Sequence, residues 1–553
     1  MGDLTAIRSA NRDVDNAPPG PFQDCRDCVH IALFFDGTGN NRFDDNAEQK
    51  WSNVSRLFFA ARDDKALGIY PLYISGVGTR YNASRNWAER IDSWVEDVSL
   101  GNFGGLGGER RLQGGDTQMN DALERALLKN AKTEGGKVKQ IAERMKGEGF
   151  DKMFAALANH RLIKSISFSV FGFSRGAALA RAFTNRLTEQ LVPAGSNTYK
   201  FQGVEARVNF LGIFDTVASF GLPGQNWGGE QTKDLTIPPH VEACHHHVAA
   251  HEVRFSFPVD LIRDRGEYYG NMVEKVFPGV HSDVGGGYEP GKQGRKDALA
   301  RIPLQHMLTG GIDNGVRLRS LDFLRKTDLP IAQIVSADKT TSDDYAAYTR
   351  ECSSGSGSIE HQMEQHKALY YAYRGTQHRA KVGTATTNDQ RIARLRSELA
   401  AARKAEASAE SKKWDEFVGG TVPSWWRARK AEGQLEGRVE QLEAELEAAE
   451  TDAKRLAASD DGIAVQAYAL QRAMEKGEDL VAKDGQLILV LEKHRWMLEA
   501  WQKTASPAVC RFFDNYVHDS RTDFLGGLEP FVYFRNRGQH EQARHRVGAT
   551  GSW

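Results

Sequence analysis

The sequence predicts an α/β fold: a mostly parallel sheet flanked by helices, interrupted late in the chain by a helical, coiled-coil insertion. Three observations carry this expectation. Apolar, β-branched runs at 29–35, 69–74, 165–170 and 207–217 alternate with helical stretches, which is how a parallel sheet with crossover helices reads. The run Val170-Phe171-Gly172-Phe173-Ser174-Arg175-Gly176-Ala177-Ala178 joins a strand to an Ala-rich helix through G-x-S-x-G. Far downstream, Leu435, Val439, Leu442, Leu446, Ala449, Ala453 and Leu456 recur in steps of four and three, the heptad seam of a long helix.

Length and composition bound the reading. The chain has 553 residues, room for about three domains or for one large α/β domain with a sizeable insertion. Its 72 basic and 73 acidic residues nearly cancel, which leaves no electrostatic argument for a nucleic-acid partner. Five cysteines in so long a chain make no disulfide framework, and Cys25-x-x-Cys28 lacks the second pair of a zinc site. No apolar run approaches the ~18 residues of a membrane-spanning helix. Met1–Gly20 is polar, so no conventional cleaved secretory signal is expected.

Taken in order, residues 1–28 read as a loose arm. The first strand, Val29–Phe35, ends at once in Asp36-Gly37-Thr38-Gly39-Asn40-Asn41. Glycines hold such a turn open so that its amides can face a ligand, although an ordinary Asp/Gly/Asn turn has the same composition. Trp51–Ala61 is a helix candidate and Ile69–Ile74 the second strand. The glycine-rich stretch 100–115 lacks the phosphate-loop pattern and is expected to be a mobile loop at the site entrance. A helix over Asp116–Asn130 and a solvated excursion over 131–146 follow.

A nucleophile elbow requires the arrangement at 172–176. The serine sits on a strained strand-to-helix turn, and the flanking glycines keep side chains out of a space where backbones nearly touch. Ser174 is the candidate nucleophile, and the Arg175 N–H is a candidate oxyanion donor. Asp215 ends the buried strand Arg207–Val217, at the carboxyl edge where functional groups of open α/β sheets collect. Val273–Val280 is a further strand, limited by Pro278. It leads to His281 on a glycine-rich loop, which gives a general base an anchor and room to face Ser174; Asp283 can help order that loop. The order Ser, then acid, then His is that of an α/β-hydrolase-like fold. His518, beside Asp519, is the alternative base. His247 and His251 are spaced to share a helix face, but H-x-x-x-H-E is not H-E-x-x-H. A structural histidine pair is therefore expected, with no metal and no cofactor.

From about 380 to 505 the helical pattern takes over. Arg391–Glu416 offers a partner for the heptad helix through Leu395 and Leu399, and Gly419, Gly420 and Pro423 separate the two. Trp425 and Trp426 sit near the break beside Arg427, Arg429 and Lys430. That composition suits a membrane interface or the capping of the hairpin's own packing. Gln486–Trp501 reads as another helix and Phe531–Phe534 as a last strand. The expected organisation is an arm at 1–28, a catalytic core at 29–380, a helical hairpin insertion at 381–505 and a segment at 506–553 that returns to the core. The insertion is expected to act as a cap or as a membrane or partner docking element.

Five stretches then converge: F-F-D-G-T-G-N-N at 34–41, G-F-S-R-G-A at 172–177, G-I-F-D-T-V-A-S-F-G at 212–221, F-P-G-V-H-S-D-V-G-G-G-Y at 277–288 and V-H-D-S-R at 517–521. Together they resemble the α/β-hydrolase family that contains the type VI secretion lipase effectors, which are antibacterial phospholipases. The resemblance implies a serine hydrolase of phospholipid esters, with Ser174 as nucleophile, Asp215 as acid and His281 as base. It also implies delivery on a type VI spike protein into a target-cell periplasm, and a cognate immunity protein in the producer. In the hydrolase mechanism an N–H of Gly37 or Thr38 would join that of Arg175 in the oxyanion hole. The chain departs from the family pattern in the 240s, where an acidic residue is usual near the position of His251, and the coiled-coil insertion lies outside the shared motifs. Two other readings stay open: a soluble carboxylesterase or peptidase with the same triad, and a non-enzymatic interaction protein acting through its coiled coil.

Overall fold

Val29, Ile31, Leu33 and Phe35 pack to one side of the first strand, and Phe34 packs to the other. A strand that is apolar on both faces needs cover on both, as in the interior of a parallel sheet. The computed structural model describes residues 28–79, 106–160, 162–195, 198–218, 234–352, 357–419, 421–457, 462–476, 480–481, 488–489, 491–522, 533–534 and 536–541; the expected arm lies outside these up to residue 27. The chain divides into two compact units, Met1–Lys367 with Pro507–Trp553, and Ala368–Ser506.

In the first unit the strands are β1 (Cys28–Phe35), β2 (Ile69–Ile74), β3 (Ser165–Phe173), β4 (Leu191–Gly195), β5 (Thr198–Phe201), β6 (Val204–Phe214), β7 (Ala243–Ala249) and β8 (Asn271–Phe277). They form one mixed sheet. Its parallel part runs β2-β1-β3-β6-β7-β8, and β4 and β5 make an antiparallel hairpin on β6. Every carboxyl end of the parallel part therefore lies on one edge. The chain goes from β1 to β2 on one side and then to β3 on the other. This reversal opens a crevice outside the strand ends, the usual ligand position in open α/β sheets.

The helices that follow are α1 (Asn53–Ala60), α2 (Leu106–Glu134), α3 (Gly136–Arg144), α4 (Phe150–Leu157), α5 (Arg175–Glu189), α6 (His281–Gly285) and α7 (Arg301–Asp313). Leu112, Leu123, Phe150, Met153, Ala178 and Phe183 join the core on one side of the sheet. Val54, Leu57, Leu304, Met307 and Leu308 join the other around Phe171 and Phe210. The α/β layering expected from the strand–helix alternation is thus present.

Several local expectations are corrected. Residues 106–115 are not a loop but the first turns of α2. Leu112 is buried there, and the fully buried Arg111 guanidinium donates to the carbonyls of Ser75, Gly76 and Thr79. Gly115 lies against the rings of Phe183 and Phe35, so part of the glycine content serves close packing; 100–105 lies outside the described residues. The 131–146 stretch is half packed, with Ala131, Val138 and Ala142 buried. Residues 243–249 form a strand where helical spacing of His247 and His251 was expected, because partners β6 and β8 supply a ladder on both sides.

In the second unit, residues 368–419 of the helix Ile359–Gly419 make a hairpin with the helix Val422–Ala457. Ile392, Leu395 and Leu399 pack against Val439, Leu442 and Ala449; the side chains of Ala453 and Leu456 lie outside the described residues. Cross-helix pairs Arg396–Glu450, Arg403–Glu443 and Lys413–Glu432 flank the seam. Pro423 stands in the first turn of its helix, where the missing N–H has no intrahelical role. The helix expected from Gln486 begins instead at Leu491, and Ile488–Leu489 pairs with Leu480–Val481. No described helix is long and apolar enough to cross a membrane.

Candidate active site

Ser174 stands between β3 and α5 with φ 59° and ψ −128°. An L-residue held there is strained by about 1–3 kcal/mol, and the surroundings impose it. A side chain on Gly172 would meet the Gly176 carbonyl oxygen at 2.5 Å, and one on Gly176 would run into the backbone of Phe35 and Asp36. The α5 start therefore touches the backbone of β3 at Gly172 and that of the β1 end at Gly176, which is the reason for the two glycines of the motif. Behind the serine, the amides of Arg175 and Gly176 open α5, where no preceding turn supplies carbonyls and the helix end favours negative charge.

Asp215 follows β6 and is the second residue of the site with positive φ, 43°. Its position beside Ser174 follows from register, since Phe173 pairs with Phe214. The Ser174 N–H donates to the Phe214 carbonyl at 3.0 Å. The Asp215 carboxylate is fully buried. Its Oδ2 lies 2.5 Å from His281 Nδ1, and its Oδ1 accepts the Ala249 N–H at 2.8 Å. Arg537 then grips both oxygens, at 2.6 Å to Oδ1 and 2.8 Å to Oδ2. Burial alone would push this carboxyl up, but Arg537 and then His281 outweigh it and hold it well below the usual carboxylate range.

An ionised Asp215 can only accept, so Nδ1 of His281 carries the proton and Nε2 the lone pair. His281 opens α6 and is 4% exposed, with its ring 4.7 Å from that of Phe173, the neighbour of Ser174. Burial pushes its imidazole below the ordinary histidine value, against the pull of Asp215. The His281 N–H donates to Glu252 Oε2 at 3.2 Å. Glu252 in turn holds Arg254 through Nε and Nη2 at 2.9 Å each, and accepts the Ser520 hydroxyl at 2.9 Å. Burial raises the Glu252 carboxyl, yet Arg254 outweighs it and brings it to about 2. Asp215 and His281 are thus joined directly. Ser174 occupies the adjoining strand end, and its Oγ makes no hydrogen bond among the described residues.

Two site expectations are corrected. The Gly37 N–H donates to Asp36 Oδ1 at 2.8 Å, so it is engaged inside its own turn. Asp36 is a buried hub that also takes the hydroxyls of Ser52 at 2.5 Å, Ser55 at 2.7 Å and Tyr73 at 2.5 Å. Thr38, by contrast, has no hydrogen-bond partner among the described residues, and its Oγ1 is buried. His518 does not reach Asp215. It pairs with Asp283 at 2.6 Å through Nδ1 and stacks on Tyr288 at 4.0 Å. Asp283 meanwhile accepts the N–H of Val280 at 3.0 Å and that of His518 at 3.1 Å. His518 is therefore engaged with Asp283 of α6, the short helix that His281 opens where a glycine-rich loop was expected.

The 240s histidines alternate along β7. His246 pairs with Glu274 at 2.6 Å on one side, while His247 Nε2 lies 3.1 Å from His306 Nδ1 on the other. His251 accepts the Gly279 N–H at 2.9 Å. Among the described residues no group of three or more His, Cys, Asp or Glu side chains is placed to hold a metal ion. Sequence reasoning missed Asp36 as a hub, Glu252 and, above all, Arg537. No motif surrounds Arg537; only the ladder of Gln539–His540 with Val259–Asp260 brings it in.

Residues 192–310 match the sequence model described as the type VI secretion phospholipase effector Tle1-like catalytic domain. No curated protein matches the chain. The crystal structure of an uncharacterized protein from Pseudomonas aeruginosa has the same fold, with TM-score 0.60 and 24% identity over 98% of this chain and 82% of that one. A structure of the Tle1 effector bound to the VgrG spike of the type 6 secretion system aligns at TM-score 0.37 and 17% identity, over 61% of this chain and 82% of that one. Over residues 192–310, which hold Asp215 and His281, the chain is similar to the catalytic domain of the Tle1-like phospholipase effectors of type VI secretion.

Proposed function

We propose that this chain is a serine phospholipase effector of α/β-hydrolase type, acting through Ser174, His281 and Asp215. The observation that carries the reading is the 2.5 Å contact of His281 with Asp215 at the strand end adjoining the strained Ser174. His281 Nε2 takes the Ser174 proton as Oγ bonds to the ester carbonyl carbon. The negative oxygen then formed lies against the Arg175 N–H, with the Thr38 N–H as second donor; losing one such donor costs about 10²–10³ in rate. Collapse breaks the ester C–O bond, and the alcohol leaves with the proton from His281. Water, deprotonated by the same imidazole, releases the fatty acid.

The likeness over residues 192–310 supports phospholipid as substrate and type VI secretion as the route; a spike protein as carrier, an immunity protein as partner and the target-cell periplasm as the place of action are proposed on the motif resemblance of the sequence. The helical hairpin is assigned contact with a lipid surface. Trp414, Phe417, Val418, Val422 and Trp426 are exposed at its closed end, beside Arg427, Arg429 and Lys430.

The test is hydrolysis of phospholipid vesicles labelled at defined acyl positions by wild type, Ser174→Ala, His281→Ala and His518→Ala. Loss with the first two and retention in His518→Ala supports the triad and reveals the bond cleaved. Cleavage of monomeric but not vesicular ester points to a soluble carboxylesterase. An undiminished Ser174→Ala rejects the reading.

A further inference from the structure

Arg537 has none of the surroundings of a surface arginine. Its side chain is fully buried, and every nitrogen donates: Nε to the Phe257 carbonyl at 2.7 Å, Nη1 to Asp215 Oδ1 at 2.6 Å and to the Ala249 carbonyl at 3.2 Å, and Nη2 to Asp215 Oδ2 at 2.8 Å. The fork matches the carboxylate plane, the arrangement that gives arginine–carboxylate pairs both strength and direction. The segment is pinned on both sides of Gln539. Val259 N–H donates to the Gly538 carbonyl and Leu261 N–H to the His540 carbonyl, each at 2.9 Å.

We infer that Arg537 is a positioning residue of the site, which keeps Asp215 ionised and oriented while leaving His281 neutral at rest. The inference rests on the hydrolase reading above and deepens it. A buried carboxylate 2.5 Å from an imidazole faces a simple alternative. Without another cation, the pair settles as imidazolium and carboxylate, because an unpaired buried anion is costly. A base that is already protonated cannot take the serine proton. Arg537 supplies the counter-charge in advance, so the imidazole stays free until the reaction charges it. Its two-point grip also fixes which oxygen, Oδ2, meets Nδ1. The other charged groups around His281 are Glu252 and Arg254, which already satisfy one another, and Asp283, which is taken up by His518.

The experiment compares wild type, Arg537→Gln and Arg537→Lys in the full chain. It reads kcat/KM against pH with a soluble short-chain ester, the melting temperature of each variant, and the His281 titration by histidine-selective NMR, with His281→Gln for assignment. Arg537→Gln should lower kcat at neutral pH by at least about tenfold with KM little changed. Its acidic limb and the His281 titration should both move up by about one pH unit, the scale set by a neighbouring charge. The loss then shrinks as the pH rises. Arg537→Lys, which keeps the charge without the fork, should return the titration towards wild type and recover only part of kcat. Unmoved limbs and titrations in a folded Arg537→Gln overturn the inference, as does a kcat loss that simply follows the fraction unfolded. The NMR titration needs no turnover, so it decides on Arg537 even if wild type and Ser174→Ala prove equally inactive, the result that sinks the hydrolase reading.

Discussion

Ser174 and Asp215 carry their strain at adjoining strand ends, where non-glycine residues with positive φ are rare and costly. Replacing Ser174 with glycine relieves one of these without adding a side chain. Ser174→Gly should be inactive in ester hydrolysis yet melt no lower than wild type, because about 1–3 kcal/mol of relieved strain offsets the extra freedom of glycine in the unfolded chain. A calorimetric melting point well below wild type would contradict the strain argument. Gly176→Ala is the opposite case. The added methyl meets the backbone of Phe35 and Asp36, which cannot rotate away, so a loss of about 1–3 kcal/mol or more is expected. Denaturant unfolding measures it, and an unchanged midpoint would mean that the contact relaxes at little cost. The placement of Ser174, Asp215 and His281 at or just beyond strand ends was legible because each follows a recognisable strand. Gly37 was misassigned because the same turn that frees amides also offers the Asp36 carboxylate, and a sequence does not show which amide that carboxylate takes.

At the scale of elements, the two glycine-rich regions behave differently for a packing reason. Residues 106–115 became helix because Arg111 and Leu112 found buried partners, whereas Gly286 and Gly287 adopt positive φ on the loop after His281. The hairpin was legible from its heptads, since a seam of Leu, Val and Ala at that spacing specifies a partner helix. Its closed end yields a prediction. Trp414→Ala with Trp426→Ala should reduce co-sedimentation with anionic phospholipid vesicles by about tenfold, the scale of one or two interfacial aromatic contacts. Turnover of a monomeric ester should stay as in wild type. Equal vesicle binding by the double variant would remove the lipid-contact role and return the tryptophans to the packing of the hairpin alone.

Over the whole molecule, the parallel sheet gathers its carboxyl ends on one edge, and several buried histidines lie along or beside β7. Burial drives His247 and His366 well below the ordinary histidine value, His251 to about 3 and His306 to about 4. Their folded-state affinities for protons are depressed, so the unfolded chain binds more protons as the pH drops. Stability is therefore full above about 6.5 and falls towards pH 4, by up to about 1.4 kcal/mol per pH unit for each such histidine. Asp36 and Asp45, whose carboxyls burial pushes up, the latter to about 7, oppose this. Burial depresses His30 and His281 likewise and raises Asp116 and Glu242, so six histidines against four carboxylates set the sign. The melting temperature should drop between pH 7 and pH 5, and a flat or rising profile would refute the balance.

By itself the sequence determined the sheet's alternation, the strand-turn-helix around Ser174 and the hairpin, and it nominated Ser174, Asp215 and His281, because these depend on neighbours within a few residues or on the order of strands. Tertiary structure alone decided who answers them: Asp283 for His518, Glu252 for the His281 amide and Arg537 for Asp215. These pairings bridge from tens of residues to several hundred along the chain. Each is settled by which buried charge or amide would otherwise stay unsatisfied, a condition that exists only once the strands have brought the groups together.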